Sequence, residues 1–158
     1  MKKEQDSKNT KQILVMDKKT MDKYLRSTSH GNLFDASTFI ISYYGEGEKR
    51  INFSSCKSHV IQIYMDDVRY VEDPDKYYSG YHDEFIAIAR FIVDAMTNGS
   101  KIICQCNAGV SRSAATAMAI KEFYYKTGHE IAEDNNYNPN PLFYTSITEA
   151  LNEITNNH

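Results

Sequence analysis

Apolar residues along this chain come either in short unbroken runs or in i, i+3, i+4 repeats, and the two patterns alternate. Residues 13–16 are the first short run and predict a strand. Asp17 can cap a helix over 20–27 with Met21, Tyr24 and Leu25 on its buried face, and His30-Gly31-Asn32 breaks it. β-Branched and aromatic residues at 38–43 predict a buried strand, followed by a turn at Gly45-Glu46-Gly47-Glu48. A third strand over 60–65 ends in Asp66-Asp67, and residues 69–80, with Pro74 and Gly80 among charges, read as a surface loop. The clearest helical repeat follows at 81–98, where Phe85, Ile88, Ala89, Ile92 and Met96 share a face and Gly99 is placed to end it. Residues 101–105 are short and apolar, which suits the centre of a parallel sheet covered on both faces. A second strong helix over 112–127 buries Ala115, Met118, Ala119 and Phe123 and stops at Gly128. Beyond a polar loop, Asn140-Pro141 is a cap followed by proline at the first helical position, opening a last helix to about 154. This order predicts an α/β fold: a central, mostly parallel sheet of about four to five strands flanked by helices on both faces.

Composition narrows the function classes. With 158 residues, 41% of them hydrophobic and 25% charged, the chain is expected to form one domain over 13–158 behind a polar leader at 1–12. A net charge of −3 argues against nucleic acid as a partner. No apolar run approaches the roughly 20 residues of a membrane helix, and 13–16 is too short for a signal peptide, so a cytoplasmic location without membrane partners is expected. Three cysteines, Cys56, Cys104 and Cys106, suggest no disulfide framework, and no second Cys or His pair has zinc spacing. No metal or other cofactor is expected.

One stretch concentrates the chemistry. The strand at 101–105 runs into Cys106, then Asn107-Ala108-Gly109-Val110-Ser111, then Arg112-Ser113 at the start of a helix. A thiol before a helix N-terminus sits near unpaired N–H groups and the positive end of the dipole, which favour the nucleophilic thiolate. The same N–H groups form a nest for a tetrahedral oxyanion, and the Arg112 guanidinium can hold two of its oxygens at once. Gly109 supplies a backbone angle that a Cβ resists. These parts suit attack on phosphorus and a covalent phospho-cysteine.

Cys106-x5-Arg112-Ser113, a CX5R motif, resembles the signature loop of the cysteine-based protein tyrosine phosphatase superfamily, and the string Cys106 to Ala114 is similar to its dual-specificity branch. Phe85-x-x-Ile88-Ala89-x-Phe91-Ile92 and Pro139-Asn140-x-x-Phe143 extend the likeness over roughly 13–156. The resemblance implies that Cys106 is the nucleophile, Arg112 the phosphate clamp, and Ser113 the hydroxyl that helps the thiolate leave. Asn107, Ala108, Gly109, Val110, Ser111 and Arg112 would bind the phosphate. It also implies an aspartate after a preceding strand as general acid and base. Asp67 fits that position better, with Asp66 in reserve. Two departures stand out: Gln105 replaces the family's usual histidine, and the interval from Asp67 to Cys106 is longer than in small members.

The uncharged residues at 107, 108, 110 and 111 point to a singly phosphorylated substrate, phosphotyrosine or phosphoserine/threonine on protein, rather than an inositol phospholipid. Two rivals are a phosphate-binding pseudophosphatase, suggested by Gln105, and another thiol–anion enzyme such as an arsenate reductase or sulfurtransferase. Low-molecular-weight phosphatase and arsenate reductase relatives place the loop near the N-terminus, whereas here it lies two-thirds along the chain. Elsewhere the bland readings stand: Cys104 in the core, Cys56 inert, and the histidines on the surface. Tyr77, Tyr78 and Tyr81 are read as packing or solvent-edge residues rather than walls of a substrate cleft, and Glu46-Gly47-Glu48-Lys49-Arg50 as a solvated turn.

Overall fold

The computed structural model describes residues 10–27 and 34–156; the break expected at 30–32, His30, His158 and most of the leader lie outside them. Among the described residues four strands form the sheet: β1 (Gln12–Asp17), β2 (Thr38–Tyr44), β3 (His59–Tyr64) and β4 (Lys101–Cys106). Every pairing is parallel, in the order β1-β4-β2-β3. The helices are α1 (Lys18–Arg26), α2 (Pro74–Gly80), α3 (His82–Asn98), α4 (Arg112–Tyr125), α5 (His129–Ala132) and α6 (Pro141–Asn156).

Alternation along β4 explains the layers. Ile102, Cys104 and Cys106 face one side of the sheet, where α3, α4 and α6 bury Phe85, Ile88, Ile92, Ala115, Ala119, Phe143 and Ile147. Ile103 faces the other side, with Met16, Ile40, Met21 of α1 and Ile51 of the 51–56 loop. Burying a side chain such as Phe143 contributes about 1.5–3 kcal/mol. Helices therefore cover both faces, but unequally. α4 is buried nearly all round, and its run of alanines lets it lie between the sheet and α6.

Several expectations need correction. Residues 74–80, read as loop, form α2, because Pro74 opens a helix whose cap Asp73 accepts from the Lys76 N–H. Tyr24 is 43% exposed, and only Met21 of the three α1 positions is fully buried. Asp17 occupies the α1 cap position without a side-chain bond. α4 ends at Tyr125, where Lys126 takes the left-handed conformation (φ 58°), and the polar segment beyond it contains α5. Met96, Met118 and Phe123 are only partly buried.

Because all strands run the same way, their C-terminal ends lie along one edge of the sheet. From that edge emerge the 107–111 loop after β4, the 45–48 turn after β2, Asp66-Asp67 after β3, and the start of α1 after β1. Ligands bind open parallel sheets at this edge.

Candidate active site

Cys106 ends β4 with its side chain on the α4 side, 1% exposed, and its Sγ is 3.0 Å from Ser113 Oγ. The chain then turns through 107–111 into α4. Gly109 has φ +66°, and a Cβ there would lie 2.7 Å from the Asp17 amide nitrogen, so both torsion and space require glycine. The loop is tied down on each side. Lys18 N–H donates to the Asn107 carbonyl at 3.1 Å, Asn138 N–H to Val110 at 3.0 Å, and Asn140 N–H to Ser111 at 3.1 Å.

Arg112, at the first position of α4, is 4% exposed. Its Nη1 donates to the Met65 carbonyl and its Nη2 to Glu48 Oε2, both at 2.9 Å. Burial works most strongly against the charge, but the hydrogen bond and charge of Glu48, together with Cys106 and Asp67, hold the guanidinium pKa above its ordinary value. Its Nε–H is buried with no hydrogen-bond partner among the described residues. An unpaired buried donor costs about 1–3 kcal/mol, which an acceptor reaching this position would offset.

The two aspartates after β3 part company. Asp66 Oδ1 accepts from Glu46 N–H at 2.8 Å, and a Cβ at Gly45 would lie 2.5 Å from that oxygen. Asp66 thus serves the 45–48 turn. Asp67 Oδ1 accepts from Ser111 Oγ and from Asn140 Nδ2, both at 2.7 Å, leaving Oδ2 without a hydrogen bond among the described residues. Arg69 braces the same place, donating to Ser111 Oγ at 2.8 Å and to the Asn138 carbonyl at 2.9 Å.

Gln105 is buried on the α1 face, where its Oε1 accepts from Ser42 Oγ, and the sheet separates this amide from Cys106. Two residues with no part in the sequence expectation join the site. Glu48, expected in a solvated turn, is the ionic partner of Arg112, and its Oε1 also accepts from Gly45 N–H at 2.7 Å. Arg69 lay in the segment read as loop. Nothing in the spacing of either residue distinguished it from a surface charge. Tyr78 is buried and bonded to Glu153, and the rings of Tyr77 and Tyr81 lie tilted at 48° with centroids 4.9 Å apart. Among the described residues no group of three or more His, Cys, Asp or Glu is placed to hold a metal ion, and no helix is long and apolar enough to cross a membrane.

No protein-family model and no curated protein matches the sequence. Solved structures do. The crystal structure of DUSP15 is similar with a TM-score of 0.57 at 18% identity, over 89% of this chain and 83% of that one. Human DUSP28 gives 0.55 at 10% identity, over 95% of this chain and 98% of that one. PTPMT1 in complex with PI(5)P gives 0.54 at 13% identity, over 94% of this chain and 96% of that one. The chain has the dual-specificity phosphatase fold. In that fold the parallel sheet and flanking helices agree with the architecture expected from the sequence, and the loop from Cys106 to Arg112 lies between a central strand and the most buried helix.

Proposed function

We propose that this protein is a cysteine-dependent phosphatase that hydrolyses phosphomonoesters on protein, phosphotyrosine and phosphoserine/threonine, through a covalent phospho-cysteine. The observation that carries this reading is the buried, unpartnered Nε–H of Arg112, whose guanidinium lies within the electrostatic reach of Cys106 and Asp67. A dianionic phosphoryl group fills that position chemically: its oxygens accept from Arg112 and from the N–H groups of the 107–112 backbone.

The Cys106 thiolate attacks phosphorus, forming the S–P bond as the bond to the ester oxygen breaks. Asp67, protonated on its unbonded Oδ2, gives its proton to the departing oxygen. The resulting carboxylate then takes a proton from water as that water attacks phosphorus. The S–P bond breaks, the electron pair returns to sulfur, and Ser113 Oγ–H, 3.0 Å away, donates a hydrogen bond to the thiolate. Arg112 stays charged throughout, because Glu48 stabilises its cationic form. The uncharged side chains at 107, 108, 110 and 111 favour a singly phosphorylated group.

Hydrolysis of para-nitrophenyl phosphate tests the reading. The wild type should turn over and be inhibited by vanadate, and Cys106→Ser should lose activity by about a thousandfold or more, as removal of a covalent nucleophile does in other enzymes. Phosphate binding without turnover in the wild type would instead identify a phosphate-binding pseudophosphatase.

A further inference from the structure

Beside the phosphate loop, α1 carries a second electrostatic feature. Lys18, Lys19, Lys23 and Arg26 lie with Asp22 and Asn107 along a groove of about 660 Å³. Met21 and Leu25 of the same helix pack on the sheet, so the groove follows the solvent side of α1. Lys18 pairs with Asp22 at 3.1 Å, but Lys19, Lys23 and Arg26 have no carboxylate partner among the described residues. Lys19 and Lys23 at i, i+4, and Lys23 and Arg26 at i, i+3, repel one another at some cost to the helix. A chain of net charge −3 thus gathers unneutralised positive charge at one place. That place adjoins the candidate active site: Asn107 of the phosphate loop lines the groove, and its carbonyl accepts from Lys18 N–H.

We infer that this groove receives acidic side chains flanking the phosphorylated residue of a protein substrate, so that α1 sets sequence preference alongside the phosphate loop. The inference rests on the phosphatase reading above. Its cations run from 18 to 26, about 12 Å at a rise of 1.5 Å per residue, the length of roughly four residues of extended chain. That spread matches a peptide better than the compact head of a phosphoinositide, for which the phosphate loop itself offers no charged side chain at 107–111. Nor does α1 have an apolar face free to enter a bilayer, since Met21 and Leu25 are spent on the sheet.

The test compares kcat/KM on two phosphotyrosine peptides that differ only in flanking residues, Asp/Glu in one and Asn/Gln in the other. It uses the wild type and the triple variant Lys19→Ala/Lys23→Ala/Arg26→Ala at low ionic strength. Three exposed charges should give the wild type about a tenfold preference for the acidic peptide. The preference should shrink severalfold at about 0.5 M salt and vanish in the triple variant. A wild-type ratio near one, or a ratio that the variant keeps, overturns the inference. Faster turnover of phosphatidylinositol 5-phosphate in phosphatidylcholine vesicles than of either peptide, lost in the variant, overturns it in favour of a lipid head group. If para-nitrophenyl phosphate is not hydrolysed, the phosphatase reading fails on its own, and anisotropy of the labelled peptides judges the groove. Tighter binding of the acidic peptide to Cys106→Ser, abolished by the triple substitution, supports the groove, and equal affinity for both peptides removes it.

Discussion

At the scale of single residues, the site turns on how Arg112 is held. Two of its five N–H groups are fixed by Met65 and Glu48, which sets the plane of the guanidinium and presents Nε–H inward. Glu48 does this from a turn that it also closes, by accepting from Gly45 N–H. Replacing Glu48 with alanine removes the ionic partner of a buried cation. Urea denaturation should show a loss of about 1.5–3 kcal/mol, the range for a hydrogen bond to a charged group. If the proposed activity holds, kcat/KM of the folded variant for an aryl phosphate should fall about tenfold or more, with Glu48→Gln in between because the amide keeps an acceptor. A folded Glu48→Ala protein with undiminished kcat/KM would mean that the proposed role of Arg112 does not depend on this pair.

At the scale of elements, Asn140 joins the start of α6 to the loop that carries Asp67. Its Oδ1 accepts from the N–H groups of Leu142 and Phe143, capping the helix, while its Nδ2 donates to Asp67 Oδ1 and to the Val68 carbonyl. The two ends of one amide can be separated by mutation. Asn140→Ala should cost about 1–2 kcal/mol of stability through the lost cap. Asn140→Asp keeps a capping oxygen but replaces the donor with a carboxylate facing Asp67. It should be the more stable of the two, and its kcat should drop tenfold or more with KM for para-nitrophenyl phosphate nearly unchanged. A proportional rise in KM instead would show that Asn140 shapes the phosphate site rather than positioning Asp67.

At the scale of the whole molecule, α2 and α3 are latched to α6 through Glu153. Tyr78 donates to its Oε2 at 2.8 Å, and His82 Nε2 lies 2.9 Å from its Oε1. The Tyr78 hydrogen bond, then the His82 contact, hold the Glu153 pKa below its ordinary 4.5. A carboxyl group with a depressed folded pKa stabilises the fold fully above its unfolded value, and that contribution is lost as pH falls through the folded one. The Tm of wild type should therefore exceed that of Glu153→Gln at neutral pH, and the gap should close below about pH 4.5. A gap that persists unchanged at pH 3 would assign the difference to packing.

What the sequence determined by itself is what arises locally. Short unbroken apolar runs marked the strands and i, i+3, i+4 repeats the long helices, because a strand covered on both faces buries every residue while a helix buries one stripe. The run from Cys106 to Ser113 was legible as a candidate site for the same reason: strand, loop and helix start are contiguous, so the residues and their context are read in one stretch of sequence. Local pattern failed at α2, where a single short helix carries too few apolar positions to show a period, and at Tyr24, which has helical spacing but faces water. Only the tertiary structure decided the rest of the site. It separated Asp67, bonded to Ser111, from Asp66, bonded to the 45–48 turn. It brought Glu48 to Arg112 across 64 residues, Arg69 to Ser111 across 42, and Asn140 to Asp67 across 73. A polar or charged residue at such distances looks the same in sequence whether it meets water or a buried partner. The parallel sheet, by setting all four C-terminal strand ends on one edge, is what makes those meetings possible.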